Sequence, residues 1–136
     1  MATVTTTYVG DMLFETELGN HTVTIDVPAS MGGSDRAPTP PEYFVASLGS
    51  CVAAFVANYC KQHGIDSTGL AVDVSFDKVE NPTRLTNIGV KVRLPRAECG
   101  KRRDALMRVA EHCPVHETIE MGEIIGFELE EGAAAG

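Results

Sequence analysis

Positive charge is scarce in this chain: 11 Lys and Arg stand against 19 Asp and Glu, a formal net charge of −8. Binding a polyanion needs a basic face to neutralise phosphates, and none is evident, so no nucleic-acid partner is expected. An unbroken hydrophobic run is also missing. The most apolar stretch, Phe44–Tyr59, is interrupted by Ser and Gly and falls short of the ~20 residues of a membrane span. Met1–Thr7 lacks the charged and apolar segments of a secretory signal. No internal repeat, Cys-x-x-Cys or His-Glu-x-x-His occurs, and no lysine follows Gly32-Gly33 at phosphate-loop spacing. These absences point away from nucleic acid, membranes, secretion and a structural zinc centre, towards a cytoplasmic protein.

What is present has ordinary globular character. The 136 residues are 43% hydrophobic and 22% charged, which fits one domain over 1–136 with a frayed tail at 131–136. Thr3–Val9, Met12–Leu18 and His21–Val27 are short, β-branched and separated by Gly10-Asp11 and Gly19-Asn20, a pattern of strands joined by tight turns. The Pro- and Gly-rich stretch Pro28–Pro41 predicts a long loop, and such loops are commonly functional. Thr39-Pro40-Pro41-Glu42 has the hydroxyl, proline and glutamate of a capping box and opens a helix that Gly64 should end after His63. That helix is apolar or small nearly all round, more than one small sheet can cover, so a second copy of the chain is expected to cover part of it. Strands at Ala71–Glu80 and Leu85–Leu94, helices at Ala97–His112 and Val115–Met121, and a last strand at Glu123–Glu130 complete an α+β pattern.

Four cysteines in a chain of this size fit a reducing compartment better than a disulfide scaffold. Cys51 lies well inside the long helix, beyond the reach of its N-terminal dipole. Taken alone it reads as a packing residue that only a cation from elsewhere could activate. Cys113 precedes Pro114 at a helix break, where free amides point back at it, and reads equally as a core cysteine or an assisted thiol. Cys51 and Cys60 fall on opposite faces of one helix, about 13 Å apart along its axis. A bridge needs Cα atoms within about 7 Å. Cys99 reads as an exposed bystander in a polar first turn, which leaves Cys51 with Cys113 as two core-facing thiols on separate helices.

Cys113 and His116 could share a face with His112 or Cys51 as metal donors, but four converging ligands are not evident. Lys101-Arg102-Arg103 fits a solvated surface better than an anion site. Arg36, in the loop before the long helix, could reach a thiolate by folding back or by exchange with a partner loop. Glu42 could orient it or serve only the capping box.

The segments Pro40-Pro41-Glu42-Tyr43-Phe44-Val45-Ala46-Ser47-Leu48-Gly49-Ser50-Cys51 and His112-Cys113-Pro114-Val115-His116, with the strands between them, resemble the OsmC/Ohr family of osmotically induced and organic-hydroperoxide-resistance proteins. The resemblance implies an α+β fold with antiparallel sheets wrapped around two long central helices in an intertwined homodimer. It also implies a thiol-dependent peroxidase. Cys51 would attack the peroxide and become a sulfenic acid, and Cys113 would resolve it as a disulfide. A dithiol reductant, lipoylated proteins in some members, would then reopen the bridge without metal or organic cofactor. Arg36 and Glu42 would activate the thiolate. The hydroperoxide-reductase branches carry the orienting glutamate ten residues before the first cysteine, where this chain has Pro41, and Arg36 is the only arginine in its N-terminal region. Phe44, Leu48 and Phe55 read as core or as part of a substrate pocket. The alternative is a non-catalytic member of the fold that binds a small ligand or senses oxidation.

Overall fold

The structure is a computed structural model, and residues 1–132 are described. Strands β1 (Thr5–Gly10), β2 (Leu13–Leu18) and β3 (His21–Ile25) form an antiparallel sheet in the order β1-β2-β3. The turns fall where the glycines predict them. Gly10, Asp11 and Met12 all have positive φ, the twist that a tight connection between paired strands demands. On β2, the buried Thr16 hydroxyl pairs with Thr6 at 2.7 Å.

The loop after β3 folds onto one buried carboxylate. Asp26 Oδ1 accepts the Val27 amide at 2.7 Å, and Oδ2 accepts the amides of Ser34 and Arg36 at 3.2 and 3.0 Å. The Arg36 guanidinium closes the arrangement with Nε at 2.8 Å from Oδ2 and Nη2 at 3.3 Å from Oδ1. Gly33 lies so close to this turn that a Cβ would sit 1.6 Å from the Val27 carbonyl oxygen. Only glycine fits there.

Helix α1 (Pro40–His63) begins at the predicted capping box. Glu42 accepts the Thr39 amide at 3.0 Å and its hydroxyl at 2.8 Å, and Gly64 ends the helix in the left-handed conformation. Leu48, Val52, Val56, Tyr59 and Cys60 form its buried stripe. Fully burying an aliphatic side chain contributes about 1.5–3 kcal/mol, so this stripe is the main apolar anchor of the chain. The stripe packs on the hairpin of β4 (Ala71–Val79) and β5 (Arg84–Arg93) through Val72, Val74, Val92 and Leu94. Helices α2 (Arg103–Glu111) and α3 (Pro114–Met121) complete the cluster with Leu106, Ala110 and Cys113. The length and hydropathy of α1 would suit a membrane crossing, but this stripe is committed to the protein core.

Three expectations are corrected. Residues 123–130 form no strand among the described residues. This segment pairs with none of the open edges of the β1–β3 and β4–β5 sheets, and Ile124, Ile125, Phe127 and Leu129 are exposed. Helix α2 starts later than Ala97, after a short 3-10 turn at Gly100–Arg102. Cys99, at the start of that turn, is half-buried against the core rather than a bystander. Most of the expected tail, 133–136, lies outside the described residues.

Replacing Leu48 by Ala is expected to lower unfolding stability by about 2–5 kcal/mol, measured by urea titration. Asp26 yields a pH prediction. The Arg36 side chain, then the Arg36 amide, hold its carboxyl well below the usual carboxylate range. A depressed folded-state value stabilises the fold above the unfolded value of about 3.9, and that stability is lost as pH falls towards the folded value. Asp26→Asn should therefore be less stable at pH 7 and show a flatter stability profile in the acid range. An unchanged acid profile in this variant would show that the ion pair does not govern acid unfolding.

Candidate active site

Two helices bring the principal thiols together. Cys51 sits mid-way along α1, half-buried beside its core stripe, and Cys113 is fully buried at the break between α2 and α3. The break has a local cause. Cys113 is extended (φ −70°, ψ 148°), as a residue before proline prefers, and caps α3, whose first residue is Pro114. Its carbonyl accepts the Glu117 amide at 2.9 Å. The amides of Val115 and His116 face its thiol, because the first turn of a helix has no internal acceptors for them.

Cys51 packs against the core cluster that contains Cys113, near enough to influence its thiol. Burial pushes the Cys113 thiol up, the His116 amide opposes this, and the Cys51 sulfur raises it further. Cys113 is thus the thiol that keeps its proton, and Cys51 beside it is only half-buried. Both are free thiols.

The surrounding histidines are His112, which caps the end of α2, and His116 in the first turn of α3. His112 Nδ1 is 2.6 Å from Glu117 Oε1. His116 places Nδ1 on the Glu111 carbonyl and Nε2 3.1 Å from Glu120 Oε1. Two acceptor oxygens facing one ring favour the doubly protonated imidazolium. The Glu111 carbonyl accordingly pushes His116 up, with burial opposing and Glu120 adding to the shift. Among the described residues, no group of three His, Cys, Asp or Glu side chains converges as metal donors.

The other expected site residues lie elsewhere within the chain. Besides its bonds to Asp26, Arg36 sends Nη1 to Asp11 Oδ2 at 3.2 Å and Nη2 to the Asp11 carbonyl at 2.8 Å. Its hydrogen bonds thus go to the loop and the β1–β2 turn, with none to Cys51. Glu42 is engaged by Thr39, whose amide and hydroxyl lower its carboxyl, and has no hydrogen bond to Arg36. Leu48 belongs to the core, whereas Phe44 and Phe55 are exposed on α1. The sequence reading missed Asp26, the carboxylate that holds Arg36. An acidic residue ending the apolar run Val23-Thr24-Ile25-Asp26-Val27 was the available signal, since a buried charge requires a partner.

The family model for OsmC-like proteins matches residues 32–126. No curated protein sequence matches. Among solved structures, the fold is similar to a Psychrobacter arcticus protein named for osmotic stress induction and a detoxification response. The TM-score is 0.75 at 23% identity, covering 87% of this chain and 88% of that one. It is also similar to an organic hydroperoxide resistance protein, OsmC, from Legionella pneumophila (TM-score 0.62, 17% identity, 86% and 87% covered). A third similar fold is the organic hydroperoxide resistance protein of Elizabethkingia anophelis (TM-score 0.63, 18% identity, 90% and 91% covered). The family match spans both cysteine segments and most of the chain between its termini, and the α+β fold of antiparallel sheets and three helices agrees with it: the chain belongs to the OsmC-like protein family.

Proposed function

We propose that the protein is a thiol-dependent peroxidase that reduces organic hydroperoxides to alcohols. The observation that carries this reading is that a half-exposed Cys51 packs against the core cluster holding a fully buried, proton-retaining Cys113. Their unequal burial suits two roles. The accessible Cys51 sulfur, as thiolate, attacks the O–O bond, which breaks with uptake of a proton to release the alcohol and leave Cys51 as a sulfenic acid. The Cys113 sulfur then attacks the Cys51 sulfur, forming the disulfide and expelling the hydroxyl as water. A dithiol reductant, a lipoylated protein for example, reopens the bridge by exchange and becomes a disulfide itself. No metal or organic cofactor enters these steps. The names of the Legionella and Elizabethkingia structures lend weight to hydroperoxides as the substrate class.

The working form is a cytoplasmic homodimer. Its support is the apolar surface that one chain leaves uncovered. Phe44 and Phe55 on α1, and Ile124, Ile125, Phe127 and Leu129 after α3, form more exposed large hydrophobic surface than a monomer usually carries. The β1–β3 sheet and the start of α1 also frame a cavity of about 600 Å³ lined by Phe14, Leu18, Val23, Ile25 and Tyr43. In a dimer, Arg36 of one copy, oriented by Glu42, has a route to Cys51 of the other that one chain does not offer.

One observation favours the alternative of a non-catalytic ligand-binding or redox-sensing protein. Arg36 is already held by Asp26 and Asp11. Turnover separates the two. With cumene hydroperoxide and a dithiol, Cys51→Ser should reduce peroxide consumption to the uncatalysed background. Cys113→Ser should complete a single turnover, yield a Cys51 sulfenic acid trapped once per chain, and lose most steady-state rate. Stoichiometric oxidation without repeated turnover in the unaltered protein would favour the sensor.

Sedimentation equilibrium tests the assembly: the protein should have twice the chain mass, and Phe127→Glu should shift it towards a single chain. A wild-type chain that sediments as a monomer at micromolar concentration would remove the dimer from the mechanism.

A further inference from the structure

The other two cysteines share one part of the core, at the C-terminal end of α1. Cys60 lies in the last turn of that helix, completely buried, with its carbonyl accepting the Ile65 amide at 3.0 Å. Cys99 begins the 3-10 turn between β5 and α2, where its carbonyl accepts the Arg102 amide at 2.9 Å. It packs, half-buried, against the same core cluster that contains Cys60. Burial, and after it charge on Cys99, opposes ionisation of Cys60.

The outer side of Cys99 opens on a cavity of about 520 Å³ between β5 and α2. Lys91 and Arg103 line this cavity together with the apolar Val92, Leu94 and Leu106. The two cations draw anionic reagents, while the aliphatic wall accommodates an apolar body. A reagent entering this cavity meets Cys99 first, and the buried Cys60 can react only through it.

We propose that Cys60 and Cys99 form a second dithiol, which exchanges with small anionic disulfides at the β5–α2 cavity and closes an intrachain bridge. The Cys99 thiolate attacks one sulfur of the small disulfide. That S–S bond breaks, one thiolate leaves, and a mixed disulfide forms on Cys99. Cys60 gives its proton to solvent, and its sulfur attacks the Cys99 sulfur. The second small thiolate leaves as the Cys60–Cys99 bond forms. The cysteine pair is oxidised by two electrons and the small disulfide is reduced to two thiols. The bridge ties the end of α1 to the β5–α2 connection. This inference does not rest on Cys51 or Cys113.

The test uses 5,5′-dithiobis(2-nitrobenzoate), an anionic disulfide, on the full-length Cys51→Ser/Cys113→Ser chain, with folding checked by circular dichroism. The expected result is release of two thiolate equivalents per chain, no retained adduct by mass, and a Cys60–Cys99 linked peptide after digestion. Adding Cys60→Ser should stop the reaction at one equivalent with the adduct held on Cys99. One equivalent in the parent variant, or two equivalents with two retained adducts, would overturn the proposal. Should the double variant not fold, the same digest of the native four-cysteine chain decides it. A Cys60–Cys99 link supports the dithiol, and its absence when Cys51–Cys113 is fully linked refutes it.

Discussion

A helix of 24 residues cannot bury its whole circumference against one hairpin and two short helices, and the rest of this structure follows from that constraint. The face of α1 carrying Leu48, Val52, Val56 and Tyr59 is committed to β4, β5 and α2. Phe44, Ala54 and Phe55 remain exposed. Cys51 lies between these two regimes, anchored by the core on one side and accessible on the other. A thiol buried on all sides would be closed to a reagent from solvent, and one in open solvent would lack a fixed neighbour.

Fixing that neighbour falls to a proline. Because Pro114 cannot continue α2, the chain bends at Cys113 and restarts as α3, with free amides at the new N-terminus aimed at the cysteine. Burial works against those amides and keeps Cys113 protonated. The same local break thus positions the Cys113 sulfur in the core cluster. For the Cys113 thiol, burial outweighs the helix end.

A different device governs the N-terminal half. Asp26 gathers three backbone amides and one guanidinium around a fully buried carboxylate, so the long Pro/Gly-rich loop is folded around a charge rather than an apolar contact. Gly33 is required because the backbone passes within contact distance of Val27 there. Arg36 therefore has a structural task of its own. In the proposed enzyme, any part it takes in activating a thiolate must be compatible with its bonds to Asp26 and Asp11.

Much of this was legible in the residues alone. Turn glycines, the Thr39–Glu42 capping box, Gly64 and Pro114 act through local backbone geometry, so they placed β1–β3, α1 and α3 to within a few residues. The pairing of Cys51 with Cys113 could be narrowed by helical periodicity, because residues on one rigid helix have calculable positions. Three features depended on contacts distant in sequence. Arg36 was free in the sequence and is claimed by Asp26 in the fold, since no local rule says which carboxylate a loop arginine will meet. Cys99 changed from bystander to core neighbour because the 3-10 turn delays α2 and turns that residue inward. Residues 123–130 have the composition of a strand, yet strand formation is a property of two edges, and this segment docks on none of the open edges of either sheet. Local propensity specifies the elements here, while the partners of charged groups, thiols and strand edges are decided only when separate elements meet.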